Sequence, residues 1–437
     1  MRESLVKNEE FKDSPVGKIP KDWEVCSIDN KLQQIIDYRG KTPEKTNSGV
    51  PLITAKNVRD GYLDPEPREY IDEKNYNIWM RRGLPKAEDV LFTTEAPLGN
   101  VARVPSYKIA LAQRLLTLRA SPEELDDGYL FWLLNWSESR RRLEQKSTGS
   151  TVLGIKQSVF RKIFFRFPPL PEQSHIAEIL DMVDDAIART SSLIIKLKQT
   201  KAGLLQDLLT RGLDDDGKLR DPHAHPEQFK DSSLGIIPIE WEVKALKDIT
   251  TKINDGTHFT PTYVEHGIPF LRVTDIQTHK ISFNNVKRIT LQEHFILSMR
   301  CNPQLGDILY SKNGTIGITK VVNWDEEFSI FVSLCLIKPI KTLIDSYYLA
   351  EILQSPVVMK QIRLRSKQMT VINLHLEEIR DFLIPLPSLQ EQKHILKALM
   401  IYDQRIRTEE AYLNKLKLQK QGLMQDLLTG KVRVKNL

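Results

Sequence analysis

EQSHIAEILDMVDDAIARTSSLIIKLKQTKAGLLQDLLT, Glu172 to Thr210, returns later in the chain as EQKHILKALMIYDQRIRTEEAYLNKLKLQKQGLMQDLLT, Glu391 to Thr429. The copies align without a gap, shifted by 219 positions (391 less 172). Within the first, apolar residues fall on two heptad-spaced rows: Ile176, Val183, Leu197 and Leu204 on one, Leu180, Ile187, Ile194 and Leu208 on the other. The second copy repeats them as Ile395, Tyr402, Leu416, Leu423 and Leu399, Ile406, Leu413, Leu427. Even the interruptions coincide, Thr190 with Glu409 and Lys201 with Lys420. Alternating 3–4 spacing over about five heptads marks a coiled-coil seam. At ~1.5 Å rise per residue each helix is expected to be roughly 58 Å long.

The duplication extends beyond the helix. DSPVGKIPKDWEV (Asp13 to Val25) matches DSSLGIIPIEWEV (Asp231 to Val243), and GVPLITAKNV (Gly49 to Val58) matches GIPFLRVTDI (Gly267 to Ile276). Asp89-Val90-Leu91 matches Asp307-Ile308-Leu309, and Tyr129 matches Tyr348. The chain is therefore a globular part followed by a long helix, written twice: A-B-A-B. Short alternating stretches at Val50 to Ala55, Val90 to Thr94 and Leu115 to Leu118 predict strands. Tyr129 to Gln145 and Tyr347 to Leu364 each predict a helix. FPPLPEQ (167 to 173) and IPLPSLQEQ (384 to 392) mark where the long helices begin, because proline is tolerated in a first turn. Arg211 to Lys230, rich in Asp, Gly and Pro, reads as a linker. The expected boundaries are 1–167, globular; 168–211, helix; 212–230, linker; 231–386, globular; 387–437, helix. The fold class expected is α+β, with the helices in an antiparallel coiled coil and pseudo-two-fold symmetry. On that arrangement the segment before Asp13 takes in one half the place of the linker in the other, and the chain's ends lie close together.

At 437 residues the chain is too long for one core. With 41% hydrophobic and 27% charged residues it has the composition of a soluble globular protein. A net charge of +6 allows a polyanionic partner without demanding one. Cys26, Cys301 and Cys335 are too far apart for a zinc pattern and read as free thiols in a reducing cytoplasm. The opening MRESLVKNEEFKD lacks the apolar core of a signal peptide, and no apolar run is long enough to span a membrane.

PPLPEQ followed by a long helix ending LLQDLLT, with a GxIPxxWEV opening in each half, resembles the specificity subunit of type I restriction–modification systems. The resemblance covers essentially the whole chain. It implies two target-recognition domains, each reading one half of a bipartite double-stranded DNA site, and helices that set the spacer between the halves; because the two globular parts differ at their polar loops, the half-sites are expected to differ and the site to be asymmetric. It further implies two methylation subunits, which bind S-adenosylmethionine and methylate adenine at N6. Two restriction subunits using ATP and Mg would join for cleavage. The specificity subunit itself would be non-catalytic and bind no cofactor.

Candidate DNA-binding residues lie in matched loops. In the first half they are Tyr38, Arg39, Lys41 and Thr42, then Thr54 and Lys56, then Thr93 and Thr94, then Lys146, Ser147, Thr148 and Ser150. In the second they are Asp255, Thr257, His258 and Thr260, then Arg272 and Thr274, then Ser311, Lys312 and Asn313, then Lys367 and Gln368. Arg can fork onto guanine O6 and N7, whereas Lys and Thr suit phosphates. The alternative for each is an ordinary turn. Arg140-Arg141-Arg142 is either a phosphate-facing edge or a solvated face. His175 and His394, at matched places beside the seam, suit packing or contact with a methylation subunit, and His223 and His225 a solvated loop. No metal site is expected. Asn302-Pro303-Gln304-Leu305 is not the Asn/Asp-Pro-Pro-aromatic loop of an adenine methyltransferase, and the sequence has no Gly-rich phosphate loop. Those absences favour a binding subunit over an unrecognised enzyme. A coiled-coil adaptor that does not act on DNA is the remaining alternative, distinguished by the lack of salt-steep duplex binding.

Overall fold

The computed structural model describes residues 10–38, 42–149, 152–278, 281–365 and 373–435. They form two compact units, one of residues 1–191 with 411–437 and the other of residues 192–410. The long helices, Leu170–Thr210 and Leu389–Leu428, are each continuous. Each gives its first half to one unit and its second half to the other.

In the first unit a four-stranded antiparallel sheet runs in the order Leu32–Asp37, Leu115–Ala120, Val90–Thr93, Val101–Arg103. The second unit repeats it as Thr250–Asp255, Leu334–Pro339, Ile308–Ser311, Thr319–Val321. The central strands are apolar at successive positions because both faces of the sheet are covered. Val90 and Phe92 enter one core with Leu116 and Leu118, while Leu91 and Leu115 enter another on the opposite face. Ile308 and Tyr310 separate from Leu309 in the same way. A smaller three-stranded sheet, Tyr70–Ile71, Val50–Ile53, Ala110–Leu111, covers the second face; its twin is Lys287–Ile289, Ile268–Leu271, Ser329–Ile330.

Helix Asp127–Asn135 packs on the first face, capped by the Asp126 carboxylate, which accepts from Tyr129 N; Asp345 caps helix Ser346–Gln354 alike. The continuous helices expected at Tyr129 to Gln145 and Tyr347 to Leu364 are each two. In the second unit the break falls at Ser355, which is extended (ψ 161) because Pro356 disfavours helical backbone before it. In the first it falls at Trp136 (ψ 137), whose buried indole lies beneath the Arg166 guanidinium.

The repeated Glu-Gln at the start of each long helix is buried. Gln173 accepts from Asp126 N (3.0 Å) and donates to Pro168 O (2.8 Å) and Glu124 O (3.0 Å). Gln392 makes the same three bonds to Asp345, Pro387 and Leu343. Glu172 accepts from the Trp23 indole (3.2 Å) and pairs with Arg433 (2.7 Å). Glu391 accepts from Trp241 (2.9 Å) and pairs with Arg220 (2.6 Å). Burial raises the Glu172 carboxyl above its ordinary value, against the bond it accepts from Val434 N. Each long helix ends at a left-handed glycine, Gly212 (φ 66) and Gly430 (φ 71), a conformation that favours residues without a Cβ. A Cβ on Gly430 would lie 2.5 Å from Pro20 Cγ, and one on Gly212 would lie 2.6 Å from Trp241 Cζ2.

Within each unit the start of one long helix packs beside the end of the other. Ile176 and Leu180 share a core with Met424 and Leu427, and Leu205 and Leu208 share one with Ile395 and Leu399. The pairing is antiparallel, and all the heptad-row residues are buried or half-buried. The matched interruption at Lys201 and Lys420 is charged in both copies: Lys420 pairs with Asp184 and lies 4.6 Å from the Trp132 ring, while Lys201 pairs with Asp403 (2.9 Å) and Glu351 (3.3 Å).

Among the described residues, the carboxy-terminal segment meets the beginning of the first globular part, with Arg433 and Lys435 paired to Asp22 at 2.8 and 3.1 Å. The linker's counterpart is divided. Its later part, Phe229–Ser232 paired with Gly235–Pro238, corresponds to Phe11–Lys12 paired with Ile19–Pro20. Its earlier part, holding Glu391 through Leu213 N and Arg220, corresponds to the carboxy-terminal tail, holding Glu172 through Val434 N and Arg433. The amino-terminal segment alone does not replace it. All three cysteines are free and buried, and burial pushes the Cys26 and Cys301 thiols up to about 11 and 12. No helix among the described residues is long and apolar enough to cross a membrane.

Candidate nucleic-acid interface

In each unit, described parts of the loops that carry the candidates meet at one end of the four-stranded sheet. That end is where Leu32–Asp37 and Val90–Thr93 finish and Leu115–Ala120 begins. Thr94 N donates to Arg114 O (3.0 Å) and Thr94 O accepts from Ile155 N (3.0 Å), stitching three segments together. In the second unit Lys312 N donates to Ser333 O and Lys312 O accepts from Leu374 N, both at 3.0 Å. A scaffold that repeats these bonds while changing the side chains can present two different polar surfaces.

Thr93 and Ser311 hold the turns from inside. Both are fully buried, and each hydroxyl accepts a backbone N–H, from Asn100 (2.8 Å) and Ile318 (2.7 Å). Tyr38 is buried against Trp79 and donates its hydroxyl to Gly83 O (2.8 Å), with burial raising its phenol above the ordinary value. Thr54 bonds Asn57 Oδ1 (2.8 Å) and shapes the turn that leaves Lys56 exposed. Thr42, Lys146, Thr148, His258, Thr260 and Thr274 are solvent-facing or half-buried. Ser147 is half-hidden by its own chain, its hydroxyl donating to Glu144 O (2.6 Å). Arg39, Lys41, Ser150, Lys367 and Gln368 lie outside the described residues.

In the second unit Asp255, 3% exposed, gathers three basic side chains: Arg300 at 2.7 Å, His258 at 3.0 Å and the buried Lys312 at 3.3 Å. Asp255 thereby orients donors that face solvent, with Arg300 and His258 more than half exposed. Thr257 is buried and its hydroxyl donates to Phe259 O, leaving the Phe259 ring exposed. Asn313 bridges to Asn373. Arg272 is held by Asp275 through Nε (3.2 Å) at the start of the turn carrying Thr274.

The first unit has instead a cleft of about 380 Å³, lined by Thr94, Glu95, Gln113, Arg114, Thr148 and Lys156 among others. Gln113 donates to Thr42 Oγ1 (3.3 Å), bringing the first loop to its rim. Sequence reasoning passed over Glu95, Gln113, Arg114 and Arg300. The available signal was that Arg114 and Ser333 precede matched strands yet differ in kind.

The basic run is divided: Arg140 pairs with Asp60, Arg142 binds Glu138 and donates to Val16 O (2.8 Å), and Arg141 is exposed. His175 Nδ1 lies 3.0 Å from Val434 O, while His394 is exposed. No cluster of three metal-ligating side chains occurs among the described residues.

A duplicated α+β frame that offers polar loops at one sheet end of each unit defines a recognition protein. The family model described as the type I restriction modification DNA specificity domain matches residues 20–199 and again 238–418. The chain belongs to that family, whose members are the non-catalytic DNA-recognition subunits of their systems. The type I restriction enzyme MjaVIII specificity subunit of Methanocaldococcus jannaschii is 28% identical, covering 99% of this chain and 98% of that protein. The EcoBI specificity subunit of Escherichia coli is 24% identical over 86% of this chain and 78% of its own length. A crystal structure of the type I restriction–modification S subunit from M. genitalium superposes with a TM-score of 0.55, at 17% identity over 98% of this chain and 99% of that one.

Proposed function

We propose that the two loop clusters read the two halves of a bipartite, asymmetric double-stranded DNA site, one half per unit. The observation that carries this is the repeated stitching through Thr94 and Lys312, the same backbone frame bearing different side chains. Thr42, Thr94, Thr148 and Lys156 would face one half-site; His258, Thr260, Arg300 and Asn313 would face the other, with Lys312, buried against Asp255, holding the carboxylate from behind. Equivalent modules suit equivalent grooves about one helical turn (~34 Å) apart. The domain boundaries that accompany this reading are 1–167 and 231–386 for the reading parts.

The complex would hold two methylation subunits, which supply S-adenosylmethionine and methylate adenine at N6. Where the system cleaves, two restriction subunits using ATP and Mg would join. This chain contributes orientation and base choice, and it would act in the cytoplasm. The test is to express the full chain with its methylation subunit and map methyl-adenine genome-wide. A motif of two unlike half-sites separated by unread bases is expected. Absence of any chain-dependent motif, or duplex affinity that ignores salt, would overturn the proposal.

A further inference from the structure

Arg114 has an uncommon backbone. Three non-glycine residues have positive φ among the described residues, and two of them, Ala96 (φ 51) and Arg114 (φ 70), lie at or beside the first unit's cleft. A left-handed arginine gains nothing in stability over glycine or asparagine at the same place. Its side chain is 52% exposed and pairs through Nε with Glu95 at 2.7 Å; Glu95 is 42% exposed. An ion pair so open to water adds little to stability. Its place, however, is defined. Glu95 bridges to Gly154 in the neighbouring loop, where a Cβ would lie 3.3 Å from Glu95 Cβ, so the loop closes tightly on this side chain. Arg114 O accepts from Thr94 N, and Gln113 is tied to Thr42. The second unit has Ser333 at the matched position, with no pair of this kind.

Resting on the reading of this end of the sheet as the DNA-facing surface, we infer that Glu95 and Arg114 together select a G·C base pair in the half-site read by the first unit. A guanidinium can fork onto guanine O6 and N7 in the major groove, and a carboxylate beside it can accept from the N4 amino group of the paired cytosine. The carboxylate also gives direction to the choice. It repels phosphate and the carbonyl edges of thymine and guanine, so Arg114 is kept from serving as a general phosphate anchor. Strained backbone and a solvent-exposed ion pair are then the means of presenting a donor and an acceptor side by side.

The test uses the full chain co-expressed with its methylation subunit and a plasmid library randomised across the wild-type motif, with adenine methylation as readout. Arg114→Ala and Arg114→Lys are expected to relax one G·C position of one half-site by about 5- to 150-fold. Glu95→Gln is expected to relax the same position more weakly. The other half-site, read in the same molecules, stays unchanged and reports folding and assembly. The inference is overturned if the lysine variant, which retains charge but not the fork, keeps wild-type preference at every position. It is also overturned if the variants weaken methylation equally for all sequences, as phosphate contacts would. A wild-type chain with no bipartite motif would instead remove the reading on which the inference rests.

Discussion

Lys201 interrupts the heptad pattern in the first helix, and its surroundings explain why the seam tolerates it. Asp403 lies at 2.9 Å and Glu351 at 3.3 Å, with all three side chains less than one-third exposed. Burial pulls the ammonium down, but Glu351 and Asp403 together outweigh it and raise Lys201 above its ordinary value. Burial raises the Glu351 carboxyl in turn. In the wild type the Lys201 contribution is therefore present at neutral pH and lost only as alkaline pH passes its raised value. Lys201→Met should leave two acids facing apolar surface and cost about 3 kcal/mol at pH 7.5, read from denaturant unfolding. Glu351 then binds its proton more tightly in the folded chain than in the unfolded one. The variant should accordingly regain stability as pH falls from 7.5 toward 5, whereas a purely steric defect would be insensitive to pH. The sequence revealed this position through its duplicate, Lys420, but the acid Glu351, 150 residues away, is brought to it by the fold alone. The same limit governs the candidate interface. Matched loops revealed where polar side chains cluster, yet nothing in their composition turned Thr93 and Ser311 inward or placed Arg114 in left-handed backbone.

The long helices were the most legible elements, because a seam pattern carries its own period and a duplicated pattern carries its own control. Shorter helices were less so: Tyr129 to Gln145 reads as one apolar-to-basic run, and neither glycine nor proline marks its break at the buried Trp136. Antiparallel pairing followed from chain economy and is visible in each unit's core. Leu197 and Leu416 are 7% and 6% exposed, whereas Ile195, two residues from Leu197 on the same helix, is 58% exposed. Changing both leucines to lysine should lower stability by roughly 3 kcal/mol or more at each position, since apolar burial is lost and an ammonium is left without a partner. Ile195→Lys should change stability by less than about 0.5 kcal/mol. Thermal unfolding followed by circular dichroism distinguishes the two variants. Equal losses would mean that the seam does not contribute as its burial implies.

The chain passes between the two units only within the long helices, at 191–192 and 410–411, because the linker lies wholly in the second unit. On the proposed reading, the separation between the two half-sites is expected to depend on the length of these two segments. A seven-residue insertion in both keeps the apolar rows in phase, since the heptad is the seam's own repeat. It adds about 10 Å of helix, the rise of roughly 3 base pairs of duplex. Made near the unit boundaries, at 191–192 and 410–411, the insertions leave Glu172, Glu391 and every loop of the proposed interface unaltered in sequence. The expected methylation motif keeps both half-sites base for base and lengthens the unread spacer, with the lengthening near 3 base pairs if the added turns are taken up along the DNA. Inserting seven residues in one helix only should instead misalign Lys201 with Asp403 or Lys420 with Asp184 and reduce methylation on every spacer. A doubly extended chain that still methylated only the original spacing would show that DNA bending or the partner subunits, rather than the helices, set the distance.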